Sequence, residues 1–169
     1  MSPLRIRIRE PQALCHKNSP NFYAENTFQI DEPDFALEWL QKITTPNVRS
    51  LRKLWIYVHP VYHGTIWYNL FNKLATEAVS LQEISIYLDS EPTCGYWGPA
   101  VDVNFVRALA RISNLRKLEI DGYFPKEWPI YLEEKTGLKV WQAEKQGIYN
   151  EGYLSALREF QRRLKDQHP

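Results

Sequence analysis

Three phrases of nearly the same letters recur along this chain: SLRKLWIY at 50–57, SLQEISIY at 80–87 and NLRKLEID at 114–121. Aligned on their first leucine (Leu51, Leu81, Leu115), they stand 30 and 34 residues apart. Each fits L-x-x-L/I-x-I, through Leu51/Leu54/Ile56, Leu81/Ile84/Ile86 and Leu115/Leu118/Ile120. Self-similarity at such a period is the mark of stacked structural repeats and constrains the fold before anything else does. GLKVWQA, offset by 23, reads as a weaker fourth copy with Leu138, Trp141 and Ala143 in the repeated positions.

Each phrase ends in period-2 alternation. Leu54, Ile56 and Val58 oppose Trp55, Tyr57 and His59; Ile84, Ile86 and Leu88 oppose Ser85, Tyr87 and Asp89; Leu118 and Ile120 oppose Glu119 and Asp121. This is the pattern of strands with one buried and one wetter face. Helical periodicity fills the intervals. Residues 65–78 align Ile66, Leu70, Phe71, Leu74 and Ala78, and residues 102–112 align Val103, Val106, Leu109 and Ala110 after a candidate N-cap, Asp102. Residues 126–136 form a further helix ended by Gly137. Pro33 suits the first turn of a helix whose stripe is Ala36, Leu37, Leu40 and Ile43.

Strand and helix in alternation predict a mostly parallel sheet with crossover helices. Strands covered on both faces would read as unbroken apolar runs. These alternate, so helices are expected on one face only. The predicted class is α/β: a leucine-rich-repeat-like, one-sided sheet of four to five strands. A single domain spans 1–169, with an irregular segment at 1–21, strand–helix repeats over 22–149 and a C-terminal capping helix in 150–169. Single repeats cannot bury their own apolar side, which is why residues 22–43 and 150–166 are read as caps.

Charge and cysteine content narrow the class of partner. A net charge of +1, from 21 basic and 20 acidic residues, lacks the basic surplus of a nucleic-acid binder. Cys15 and Cys94 are too few for a secreted disulfide scaffold. No apolar h-region follows the N-terminus and no stretch of about 18 apolar residues exists, so neither export nor a membrane partner is expected. The predicted location is cytoplasmic or nuclear. Aromatic residues make up 14 % of the chain, a content that suits interfaces.

FYAENTFQI at 22–30, a proline-opened acidic helix and L-R-K-L strands together resemble fungal F-box-associated proteins with leucine-rich-repeat-like regions. The resemblance rests on a Tyr–x–x–Asn–x–Phe signature (Tyr23, Asn26, Phe28) and an F-x-x-W/F-L element, in whose place Phe35, Trp39 and Leu40 stand, and it covers roughly residues 22–142. The residues before Phe22 fit no F-box. The resemblance implies a region that binds another protein, with substrate recognition for a ubiquitin-ligase-type adaptor as the family role.

In register, the strands place Trp55, Ser85 and Glu119 in one open-face column, Tyr57, Tyr87 and Asp121 in the next, and His59 with Asp89 beyond. Aromatics beside carboxylates resemble a hot-spot centre with a polar rim. These residues, with Tyr96 and Trp97 in the loop after the second strand, form the predicted binding surface. Tyr62, Tyr123, Phe124 and Trp128 belong to the same strand-end edge, where they form either an aromatic ledge or a lid over the sheet. His59 is expected to pair with Asp89.

The competing reading is a small hydrolase or metal-binding protein using His59, His63 and Cys94. Pro60 and Gly64 put the two histidines in a loop, and the glutamate of H-E-x-x-H is missing. Dinucleotide and P-loop fingerprints are absent. The sequence therefore assigns no catalytic or metal-binding residue and implies no cofactor. The predicted function is non-enzymatic binding of a protein partner.

Overall fold

The computed structural model describes residues 7–9, 19–59, 64–89, 103–122, 124–125 and 127–142. Within these residues six strands form one sheet: β1 (Arg7–Arg9), β2 (Thr27–Ile30), β3 (Lys53–Val58), β4 (Glu83–Leu88), β5 (Lys117–Gly122) and β6 (Val140–Gln142). They lie in sequence order. β2 to β6 are parallel, and β1 adds antiparallel to β2. The architecture is the α/β, leucine-rich-repeat-like one that the repeated phrases predict, extended by an edge strand within the stretch expected to be irregular.

The repeats are stitched together just ahead of each strand. The Arg52 carbonyl accepts from the N–H groups of Gln82 and Glu83, and the Gln82 carbonyl accepts from those of Arg116 and Lys117. Equivalent positions of consecutive phrases thus stack. Register follows: Leu54 pairs with Ile84 and Ile84 with Leu118, while Ile56, Ile86 and Ile120 form a second row. All six are at most 2 % exposed. β3 and β4 both alternate half-buried and buried along their length. The aliphatic ridge is one wall of the core, and the other face is only half covered.

Gly122 ends the third ridge opposite Leu88. Its φ is +87°, and a Cβ there would stand 2.1 Å from the Leu88 carbonyl oxygen. Only glycine meets both conditions.

Among the described residues, six helices accompany the sheet: α1 (Pro20–Glu25), α2 (Pro33–Lys42), α3 (Thr45–Ser50), α4 (Gly64–Glu77), α5 (Val103–Leu109) and α6 (Glu127–Thr136). Pro20, Pro33 and Pro46 sit in the first turns of α1, α2 and α3, where their missing N–H costs nothing. Gly137 leaves α6 at φ +71°. The signature residues build the N-terminal cap. Tyr23 stacks on Phe28 at 5.5 Å, Trp39 lies 5.3 Å from Phe28, and buried Asn26 donates to the Phe22 carbonyl at the end of α1.

Two helical faces differ from the sequence expectation. Trp67, not Ile66, joins Leu70, Phe71 and Leu74 in the core, because the larger ring buries more area. α5 is shorter and turned: Phe105, Val106, Ala108 and Leu109 are buried while Val103 is 54 % exposed. Phe105 packs edge-on to Phe71 at 4.9 Å and stacks on Trp128 at 5.4 Å. Asp102 and the predicted C-terminal capping helix lie outside the described residues. Among the described residues, no helix is long and apolar enough to cross a membrane.

Candidate functional site

The open face of the sheet is built by the alternate residues of the ridge strands. Pairing of Trp55 with Ser85 and of Ser85 with Glu119 makes one column. Tyr57, Tyr87 and Asp121 make the next in the same way. The strands thus deliver both predicted columns side by side. Tyr57 is their hub: its ring stacks on Tyr87 at 5.6 Å and 12°, lies 6.1 Å from Trp55, and meets His59 at 6.3 Å.

Carboxylates border this platform. Asp89 accepts a hydrogen bond from the Tyr57 hydroxyl, a cross-strand link that the expected His59–Asp89 pairing did not include. Phenol and carboxylate meet because Tyr57 projects along the face while Asp89 closes the adjacent strand. The bond and the surrounding charge push the Tyr57 phenol up to about 12; the Asp89 hydrogen bond leads, followed by burial and the charges of Asp89, Tyr87 and Asp31. Asp31 accepts from the Gln29 amide at 2.8 Å, and Asp121 from the Gly122 N–H at 2.7 Å. Among the described residues, none of these three aspartates is ion-paired.

The opposite end of the face is mixed in charge. Glu119 accepts from the Ser85 hydroxyl at 2.8 Å and pairs with Lys117 at 3.3 Å; Lys53 pairs with Glu83 at 3.4 Å. Among the described residues, the face therefore runs from paired charges at the strand starts to carboxylates without an ion pair at the strand ends, with aromatic rings between.

β6 carries a correction. Val140, paired with Leu118, holds the ridge position and is 4 % exposed. Trp141, expected in the ridge, pairs with Glu119 and is 55 % exposed. The fourth phrase is one residue out of phase with the other three, which moves Trp141 into the Trp55 column on the open face. Lys139 lies over its ring at 5.3 Å. The alternation of β2 likewise adds Gln29, paired with Trp55, to that column. Reading VWQ and TFQI by period 2, rather than by the L-x-x-L template, would have found both.

The strand-end aromatics divide. Phe124 and Trp128 are 7 % and 5 % exposed and belong to the core, as a lid over the sheet's end requires and a ledge does not. Tyr62, Tyr96, Trp97 and Tyr123 lie outside the described residues, as do His63 and Cys94. Among the described residues, no three His, Cys, Asp or Glu side chains gather as metal ligands.

No family model, no curated protein and no solved structure matches this chain.

Proposed function

We propose that the chain is a non-enzymatic binding module that takes a protein partner on the open face of its sheet. The observation that carries this reading is the Trp55–Tyr57–Tyr87 platform, half-buried and stacked, with Asp31, Asp89 and Asp121 beside it. Rigid aromatic rings lose little conformational entropy on contact and dominate the energetics of protein interfaces. Carboxylates that border the rings favour a partner that presents lysine or arginine over them. Glu119 and Trp141 extend the surface toward the last strand. Tyr96 and Trp97 are proposed to widen it at the strand ends.

The Tyr23–Asn26–Phe28 resemblance supports a more specific role: recognition of a substrate protein for a ubiquitin-ligase-type adaptor in the cytoplasm or nucleus. The test is the double variant Tyr57→Ala with Tyr87→Ala. Partners captured by the native chain should be lost, while far-UV circular dichroism stays native. A variant that captures the same set at the same yield would remove the open face from consideration.

A further inference from the structure

A second site stands on the helical side of the molecule, independent of the sheet face. We propose that the cleft between α4 and α5, with the turn that follows α5, binds the phosphoryl group of a small phosphate monoester, with Arg107 and Arg111 as its ligands. The cleft encloses about 350 Å³ and is lined by Thr65, Tyr68, Asn104, Arg107 and Arg111.

Three features converge there. First, the Arg111 guanidinium is anchored by neutral groups. Its Nη1 donates to the Asn72 Oδ1 at 2.8 Å and to the Tyr68 hydroxyl at 3.3 Å, and its carbon lies 5.6 Å from the Tyr68 ring centre. These partners orient the fork and leave its charge unspent. Second, Arg107 stands one turn before Arg111, and both are exposed. Like charges at this spacing repel, and among the described residues no carboxylate pairs with either. An anion between them removes the repulsion. Third, among the described residues the lining carries guanidinium, hydroxyl and amide groups and no acidic side chain.

The number of donors selects phosphate over carboxylate. Two guanidiniums and the Thr65 hydroxyl match a dianion with three terminal oxygens, whereas a carboxylate offers two oxygens and one charge. The charge of Arg111 is already felt at Tyr68. The Tyr68 phenol is held below its usual range by its Asn72 hydrogen bond and by Arg111.

The test follows arginine side-chain 15Nε resonances and the Tyr68 13Cζ titration in the full chain, at matched ionic strength. Inorganic phosphate, phenyl phosphate and acetate are added separately. Saturable shifts at Arg107 and Arg111 are expected with phosphate or phenyl phosphate, at least tenfold weaker with acetate, together with a rise in the Tyr68 pKa. Tighter binding of phenyl phosphate identifies an ester as the ligand; equal binding identifies the free anion. Arg107→Gln with Arg111→Gln should weaken phosphate binding at least tenfold with an unchanged backbone amide spectrum, and Arg49→Gln, on α3, should leave it unaltered. If the double variant unfolds, Arg107→Lys, which keeps the charge and loses the fork, should weaken binding severalfold. Shifts of equal size with acetate, or native affinity in the arginine variants, would overturn the assignment.

Discussion

Ile86 and Tyr87 are neighbours on β4, yet their side chains lie on opposite faces of the sheet, so alanine at each separates core from surface. Ile86 is 2 % exposed and sits between Ile56 and Ile120 in adjacent strands. Truncating a buried isoleucine costs about 2–5 kcal/mol, and more where the surroundings cannot collapse. With rigid strands on both sides, Ile86→Ala belongs near about 4 kcal/mol. Tyr87 is half-buried, and its stacking on Tyr57 adds about 0.5–1.5 kcal/mol to what the area buried by its ring contributes. Tyr87→Ala should therefore cost about 2 kcal/mol, clearly less than Ile86→Ala. Urea unfolding of both variants measures the difference, with unchanged m-values showing that the same surface is exposed. Equal losses, or a Tyr87→Ala loss above that of Ile86→Ala, would mean that both faces of the sheet are packed alike. The one-sided architecture and the binding surface built on it would then fail together.

Gly122→Ala combines a positive φ with a 2.1 Å clash against the Leu88 backbone, whereas Gly137→Ala meets only the positive φ, since nothing lies within 4 Å. Gly137→Ala should cost about 1 kcal/mol and Gly122→Ala clearly more, as thermal unfolding would read. Tyr57 has a folded-state pKa near 12 against about 10 when unfolded. Its contribution to stability is thus complete below pH 10 and lost as pH rises through 12. Asp89→Asn should bring its titration, followed by 13Cζ resonance, back toward 10 and shrink that alkaline loss; an unmoved titration would show that the Asp89 bond is not its cause. Asn26 is 1 % exposed and donates to the Phe22 carbonyl at 2.8 Å. Asn26→Ala should destabilise by about 1–3 kcal/mol in chemical unfolding, and a loss below about 0.5 kcal/mol would contradict a structural role for the signature asparagine.

What was legible in the sequence was whatever the backbone repeats. A strand turns its side chains over every second residue, so the ridge of Leu54, Ile84 and Leu118 and the columns through Trp55 and Tyr57 could be written down from spacing alone. Three near-identical phrases then set the register. Positive-φ Gly137 and first-turn Pro33 were likewise local signals of backbone geometry.

Only the tertiary structure decided which of two possible stripes a helix buries. α4 could present Ile66 or Trp67, and α5 Val103 or Phe105. The choice fell to the rings that fill the space between Phe71 and Trp128, which no local period contains. The phase of β6, and with it the exposure of Trp141, came from pairing with β5. The hydroxyl of Tyr57 found Asp89 across 32 residues of chain, and Arg111 reached Tyr68 across 43. Periodicity names the face a side chain leaves from, but the partner it meets there depends on how separate elements pack, and that is a property of the whole chain.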